Sequence, residues 1–206
     1  MKVLLLNGSP HAKGTTFKAL SIVSKELNDN GIETEIIQVG NKRVAGCMAC
    51  GGCSKMGYCV YDDGYVADLV KKIEGCDGLV VGSPVYFASI NGTLKSILDR
   101  VFCSKKSFAN KVGASVVVAR RAGTTASYDM LNKYFAISSM PIVTSNYWNM
   151  VHGSNFDQAE QDEEGVQTMR VLAKNMAWLI KCIKNGIDCG INPPELEPKI
   201  KTNFVR

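Results

Sequence analysis

The sequence predicts an α/β fold: a doubly wound, five-stranded parallel sheet with helices on both faces. Two observations carry this. Short apolar runs alternate with longer segments of helical period along the whole chain, five of each. Such alternation builds strand–helix–strand crossovers, and their right-handedness leaves few topologies beyond an open parallel sheet. The chain has 206 residues and no domain boundary, repeat or low-complexity segment, which suits one domain with a proper core. Residues 1–186 are expected to form it, and residues 187–206 to form an extended tail packing on its own or a neighbouring subunit.

The elements follow in order. "KVLLL" (2–6) reads as a buried strand. "TTFKALSIVSKELNDNG" (15–31) reads as an amphipathic helix capped by Thr15 or Thr16 and stopped at Gly31. "TEIIQV" (34–39) is the second strand. A helix over 62–76 starts at a cap supplied by Asp62 or Asp63. "GLVVG" (78–82) is the third strand, residues 91–102 a helix, "GASVVVA" (113–119) the fourth strand and residues 124–137 a helix. "PIVTSNYW" (141–148) is the fifth strand. One long helix over 157–186 closes the domain, with Gly165 ending its first turn or kinking it. Met169, Leu172, Met176, Leu179, Ile180 and Ile183 make its core stripe. The tail carries three prolines.

Composition excludes several classes. Hydrophobic residues are 46% and charged residues 21%, ordinary for a globular protein. No apolar run reaches the roughly 18 residues that a membrane span needs, and "MKVLLLNGSP" is too short for a signal-peptide core. A cytoplasmic protein is expected, with no membrane partner. The net charge of +5 is mild and the lysines are scattered, so no nucleic-acid surface is expected.

In open parallel sheets ligands bind beyond the carboxyl ends of the strands. After the first strand comes "NGSPHAKGTT" (7–16). Backbone N–H groups at a helix start favour an anion. Ser9, Thr15 and Thr16 add hydroxyls, Gly14 adds backbone freedom, and His11 and Lys13 add positive charge. The stretch is neither a Walker loop nor a G-x-G-x-x-G turn; it fits a terminal phosphate monoester, the alternative being an ordinary strand-to-helix turn. After the third strand comes "GSPVYFASINGTLKSILDR" (82–100), where Tyr86 and Phe87 stand in a loop beside extended backbone. Such a segment can face a flat heterocycle, or can merely anchor the loop to the core.

Together these two stretches resemble the flavodoxin-like NAD(P)H-dependent FMN reductases. Gly82, Ser83, Pro84, Tyr86, Gly92, Lys95, Asp99 and Arg100 match that family's motif. With the C-x-x-C-x-x-C loop between them the chain resembles the iron–sulfur flavoprotein branch over essentially its whole length. The resemblance implies a flavodoxin-like fold and FMN. Ser9, His11, Gly14, Thr15 and Thr16 would hold the phosphate. Pro84, Val85, Tyr86, Phe87 and Ala88 would line the isoalloxazine ring. Arg120, Arg121, Ala122 and Gly123 would approach it from the other side, an arginine there favouring the reduced anionic ring. Family members often carry arginine where His11 stands, and histidine is a weaker cation.

Four of the eight cysteines crowd into "GCMACGGCSKMGYC": Cys47, Cys50, Cys53 and Cys59. In a reducing compartment they read as metal or redox ligands rather than disulfides. Short C-x-x-C steps with Gly46, Gly51, Gly52 and Gly57 among them allow four thiolates to converge, and the resemblance implies a [4Fe–4S] cluster. A Cys₄ zinc site and a loop that only packs are the other readings. Cys76, Cys103, Cys182 and Cys189 receive no role. Tyr147 and Trp148 read as interface, cofactor wall or core, and His152 as a speculative proton donor. The acidic run 157–165 complements a helix dipole.

The expected function is an FMN-dependent redox enzyme passing electrons between NAD(P)H or ferredoxin and a small acceptor, as a homodimer or homotetramer. The alternatives are an NAD(P)H:FMN or quinone reductase without a working cluster, a flavodoxin-type carrier, and a zinc-bearing interaction module. Carriers are typically acidic, and the charge of +5 points away from one.

Overall fold

The computed structural model describes residues 1–61, 65–104, 106–202 and 204. Five parallel strands form the sheet: β1 (Lys2–Asn7), β2 (Glu33–Gln38), β3 (Gly78–Tyr86), β5 (Val112–Ala119) and β6 (Met150–His152). A two-residue strand, β4 (Ser89–Ile90), folds back antiparallel on the end of β3. The order is β2-β1-β3-β5-β6 with β1–β2, β1–β3, β3–β5 and β5–β6 all parallel. This is the flavodoxin order, with its switch point between β1 and β3.

The helices are α1 (Thr15–Asp29), α2 (Cys53–Met56), α3 (Tyr65–Glu74), α4 (Gly92–Phe102), α5 (Thr124–Ile137), α6 (Phe156–Gln161) and α7 (Glu163–Asp188). Alternate residues of β1 feed opposite layers, as a period of two requires. Val3 and Leu5 pack with Leu20, Val23 and Leu27 of α1 and Met169, Leu172 and Met176 of α7. Leu4 and Leu6 pack with Val66 and Leu69 of α3, Leu94 and Ile97 of α4, and Leu131 of α5. The three α7 side chains are fully buried, each contributing about 1.5–3 kcal/mol by leaving water.

Four expectations about the elements are corrected. Neither Thr15 nor Thr16 caps α1: both lie inside it, and extended Gly14 is the cap residue without a side-chain bond. The third strand runs on to Tyr86, because Ser83–Tyr86 continue pairing with β5 and then with β4. The fifth strand is at 150–152, not 141–148. Ile142 makes one parallel bridge to Gly113, and pairing resumes at Met150 opposite Val117. The chain thus advances eight residues while β5 advances four, and the excess loops out with Tyr147 and Trp148 half exposed. That placement also removes them from the core.

The fourth correction concerns the closing helix, which is two helices broken at Asp162. The Asp162 carboxylate caps α7 by accepting the Gly165 N–H (3.0 Å) and also accepts the His152 N–H (2.6 Å) from the sheet edge. Gly165 marks where this cap lands: a Cβ there would meet Asp162 Oδ2 at 2.3 Å. The proposed caps Asp62 and Asp63 lie outside the described residues. Helix α7 ends at Asp188, and residues 191–202 are exposed and without secondary structure. No described helix is long and apolar enough to cross a membrane.

Candidate functional site

The loop after β1 is shaped from beneath by one buried amide. Asn7 is fully buried; its Oδ1 accepts the Ser9 N–H (3.1 Å) and its Nδ2 donates to His11 O (3.4 Å) and to Gln38 Oε1 (2.6 Å). Gln38 in turn donates to Ser9 O (2.5 Å). The end of β2 therefore fixes the turn that leaves β1. Ser9 is buried, and its Oγ accepts the His11 N–H (3.1 Å), which leaves the hydroxyl proton available to a ligand. Helix α1 begins immediately after, with no side chain capping its N-terminus. A helix of this length starting without a cap presents N–H groups and a positive dipole end to whatever lies in front.

What lies in front is a cleft of ≈ 1060 Å³. Ser9, His11, Gly14, Thr15 and Thr16 line it from the first loop, Pro84, Val85 and Tyr86 from β3, and Arg120 from the loop after β5. The loop after β6 closes the fourth side with Gly153, Ser154, Asn155 and Phe156, residues to which the sequence reading gave no role. Phe156 is held by Lys18, whose ammonium lies 4.5 Å from the ring centre and pairs with Glu160 at 2.7 Å.

Phe87, Ala88, Arg121, Ala122 and Gly123 do not line the cleft. Phe87 and Ala88 form the tip of the β3–β4 hairpin, both with positive φ (51° and 56°), and the Phe87 ring is fully exposed. Two positive φ values fit the tight hairpin turn that matches strand twist, though glycine or asparagine is the usual occupant. Arg121 and Ala122 are exposed. Gly123 sits behind the hairpin at φ 92°, where a Cβ would come within 2.9 Å of Val85 and 3.0 Å of Ala88. Ser83 fastens the hairpin base, its Oγ accepting the Asn91 N–H (3.1 Å), and Asn91 caps α4 through the Leu94 N–H (3.1 Å).

The cysteine-rich loop follows β2 at the same sheet edge. Cys47, Cys50, Cys53 and Cys59 line one pocket of ≈ 280 Å³. All eight cysteines are free thiols. Positive φ occurs at Gly51 and Gly57, and at Ala49 (53°). A fifth thiol, Cys103, also lines the pocket. Burial pushes its pKa up, and neighbouring Cys47 pushes it further. Arg100, three residues earlier on α4, is 2% exposed and donates Nε to Cys59 Sγ (3.3 Å). Among the described residues no three His, Cys, Asp or Glu side chains form a group that could hold a metal ion as placed. The donor set nonetheless suits a thiolate-ligated centre: four free thiols on one pocket, a guanidinium beside one of them, and a backbone able to turn between them. Their spacing of three puts Arg100 and Cys103 on one face at the end of α4, but it does not show that this face meets the cysteine loop.

His152 faces Asp162 (Nδ1–Oδ2 3.8 Å) and does not line the cleft. Tyr147 and Trp148 pack on each other, ring centres 5.0 Å apart, and are likewise outside it.

A parallel sheet of flavodoxin order whose post-strand loops enclose one cleft, beginning at an uncapped helix, defines a class of nucleotide-binding α/β protein. Residues 1–155 match the NADPH-dependent FMN reductase family, and the chain belongs to that family. Within it, the chain belongs to the iron–sulfur flavoprotein branch. It is 33% identical over 194 residues to an iron–sulfur flavoprotein of Methanocaldococcus jannaschii, covering 89% of this chain and 100% of the relative. It is 31% identical over 193 residues to the iron–sulfur flavoprotein of Methanosarcina thermophila, covering 91% and 100%. Among solved structures, RosB with bound 8-demethyl-8-formylriboflavin-5'-phosphate aligns over 100% of this chain and 93% of its own, with a TM-score of 0.72. At 13% identity that is a likeness of fold.

Proposed function

We propose that the chain is an FMN-dependent redox enzyme that also holds a [4Fe–4S] cluster, passing electrons between NAD(P)H or ferredoxin and a small acceptor. The observation that carries this reading is the convergence of the loops after β1, β3, β5 and β6 on one cleft, with an uncapped helix at its phosphate end. Bound FMN would supply one- or two-electron exchange and a cluster one-electron exchange, so the two together suit both kinds of partner.

The residues divide the work. The α1 N-terminus, Ser9, Thr15 and Thr16 bind phosphate through N–H and O–H donors, and His11 with Lys13 adds positive charge. Pro84, Val85 and Tyr86 present backbone and an aromatic face to the ring. Arg120, just past the end of the neighbouring strand β5, lines the same cleft and favours negative charge on the ring. Cys47, Cys50, Cys53 and Cys59 supply thiolates to the cluster. The tail beyond Asp188 packs on its own or a neighbouring subunit of a homodimer or homotetramer, its exposed Ile191, Leu196, Ile200 and Phe204 giving it apolar surface for that purpose. The protein works in the cytoplasm.

The test is cofactor analysis of anaerobically purified chain, by visible spectrum with flavin, iron, zinc and acid-labile sulfide assays, followed by NAD(P)H oxidation. The reading expects flavin and iron in a ratio of about one to four. Flavin with NAD(P)H turnover but no iron, even after reconstitution, leaves the FMN reductase without a cluster. A colourless chain that takes up neither cofactor on reconstitution overturns both.

A further inference from the structure

We propose that Arg100 is the positioning residue of the cysteine pocket, a buried guanidinium that ties both ends of the cysteine loop and donates an N–H to the Cys59 sulfur. This rests on reading the pocket as an iron–sulfur site and extends it to a residue that is not a ligand.

Guanidinium groups are seldom buried unless something specific holds them, and Arg100 is 2% exposed. Three of its nitrogens reach the loop. Nη1 donates to Ala45 O (3.4 Å), Nη2 to Tyr61 O, and Nε to Cys59 Sγ (3.3 Å). Ala45 precedes the first cysteine and Tyr61 follows the last, so the two carbonyls bracket the whole motif. A single side chain on the rigid helix α4 thereby pins the loop at entry and exit. Between those pins the chain has only one short helix, α2, to order it. Closure of the loop on α4 is what brings Cys47, Cys50, Cys53 and Cys59 to one pocket.

Only a fork serves this purpose. Arginine presents five N–H donors in fixed directions, whereas lysine presents one nitrogen that cannot reach three separated acceptors. The Nε–H···S bond has a second consequence. Hydrogen bonds to ligand sulfur, and positive charge beside a cluster, favour its more negative reduced state and raise the reduction potential. Arg100 thus sets both the closure of the loop and the poise of what it holds.

The experiment uses the full chain with R100K and R100Q, each checked for fold by thermal melting and FMN binding. Hydrogen exchange across residues 45–61 is measured on the metal-free chain. Iron uptake from ferrous iron with sulfide, and the cluster midpoint potential, are measured after reconstitution. R100K keeps the charge and the aliphatic stem, so it stands in for R100Q should the latter fail to fold. The expected result for R100K is exchange across 45–61 about tenfold faster or more, the loss of a charge-assisted bond. Less iron is retained at limiting supply, and the midpoint potential of the loaded fraction is lowered. Wild-type exchange together with a wild-type potential in R100K overturns the proposal. Should the wild-type chain take up no iron at all, the cluster reading fails on that result, and exchange alone decides the clamp: faster exchange in R100K upholds it and unchanged exchange overturns it.

Discussion

Asn7 Oδ1 accepts the Ser9 N–H at 3.1 Å, so the last residue of β1 dictates the conformation of the turn that follows it. Because Asn7 is fully buried and also bonds His11 O and Gln38 Oε1, the turn is built before any ligand arrives. Truncating it takes the Asn7 amide away from Gln38 Oε1, His11 O and the Ser9 N–H. Asn7→Ala is expected to lower stability by about 2–3 kcal/mol and to weaken FMN by roughly tenfold or more through loss of preorganisation. Denaturant melts and fluorescence titration read the two effects separately. An N7A chain with wild-type FMN affinity would remove the preformed turn from the account.

Phe87 carries a conformational cost with no buried contact to offset it, since its φ is 51° and its ring is fully exposed. A left-handed conformation costs a non-glycine residue about 1–2 kcal/mol, partly offset on replacement by the greater chain entropy of glycine. Phe87→Gly is therefore expected to stabilise the FMN-free chain by about 0.5–1 kcal/mol. Because Phe87 does not line the cleft, the same variant is expected to raise the melting temperature by a similar amount with FMN and without it. Thermal melting in the two states checks this.

The hinge between sheet edge and closing helix is Asp162. One carboxylate serves β6 and the start of α7 together. Asp162→Ala removes a cap and a charge-assisted bond, and is expected to cost about 2–3 kcal/mol. Its effect should concentrate at Gly153–Phe156, the cleft wall just beyond His152. Hydrogen exchange localises it; uniform loss of protection over the whole chain would contradict a local role.

Much of this was legible in the sequence, and the failures have physical causes. KVLLL could only be a doubly buried strand, and the loops after it and after "GLVVG" carried enough glycine and hydroxyl residues to mark a ligand edge. The segment 141–148 misled because Ile142, Val143, Tyr147 and Trp148 have strand propensity, yet only Ile142 bridges the sheet. What decides pairing there is register with β5, which is tertiary. The acidic run hid a break because Asp162 reads equally as helix interior and as cap. Asn7, Gln38, Arg100 and Cys103 were missed as site residues for one reason. Each acts across the sheet or from another helix, and sequence spacing alone does not show such contacts.

The β1–β2–α3 edge gives a pH dependence. Lys72 first, then Lys2, bonds Glu35 and holds its pKa below the ordinary 4.5. A carboxyl depressed in the folded state contributes stability above the unfolded value and loses it as pH falls through the folded one. Glu35→Gln is expected to cost about 0.5–1 kcal/mol at neutral pH, discounted because these groups are partly exposed and screened. The difference from wild type should shrink as pH drops below 4.5. Parallel urea melts at neutral pH and at pH near 3 decide the sign.

The most direct measurement is hydrogen exchange of the chain titrated with FMN, with riboflavin as the comparison. The account predicts protection at residues 8–16, 84–86, 118–120 and 153–156, and far weaker binding of riboflavin, which has no phosphate for the α1 N-terminus to hold. Equal affinity for the two, or protection confined to segments outside those loops, would contradict the assignment of this cleft.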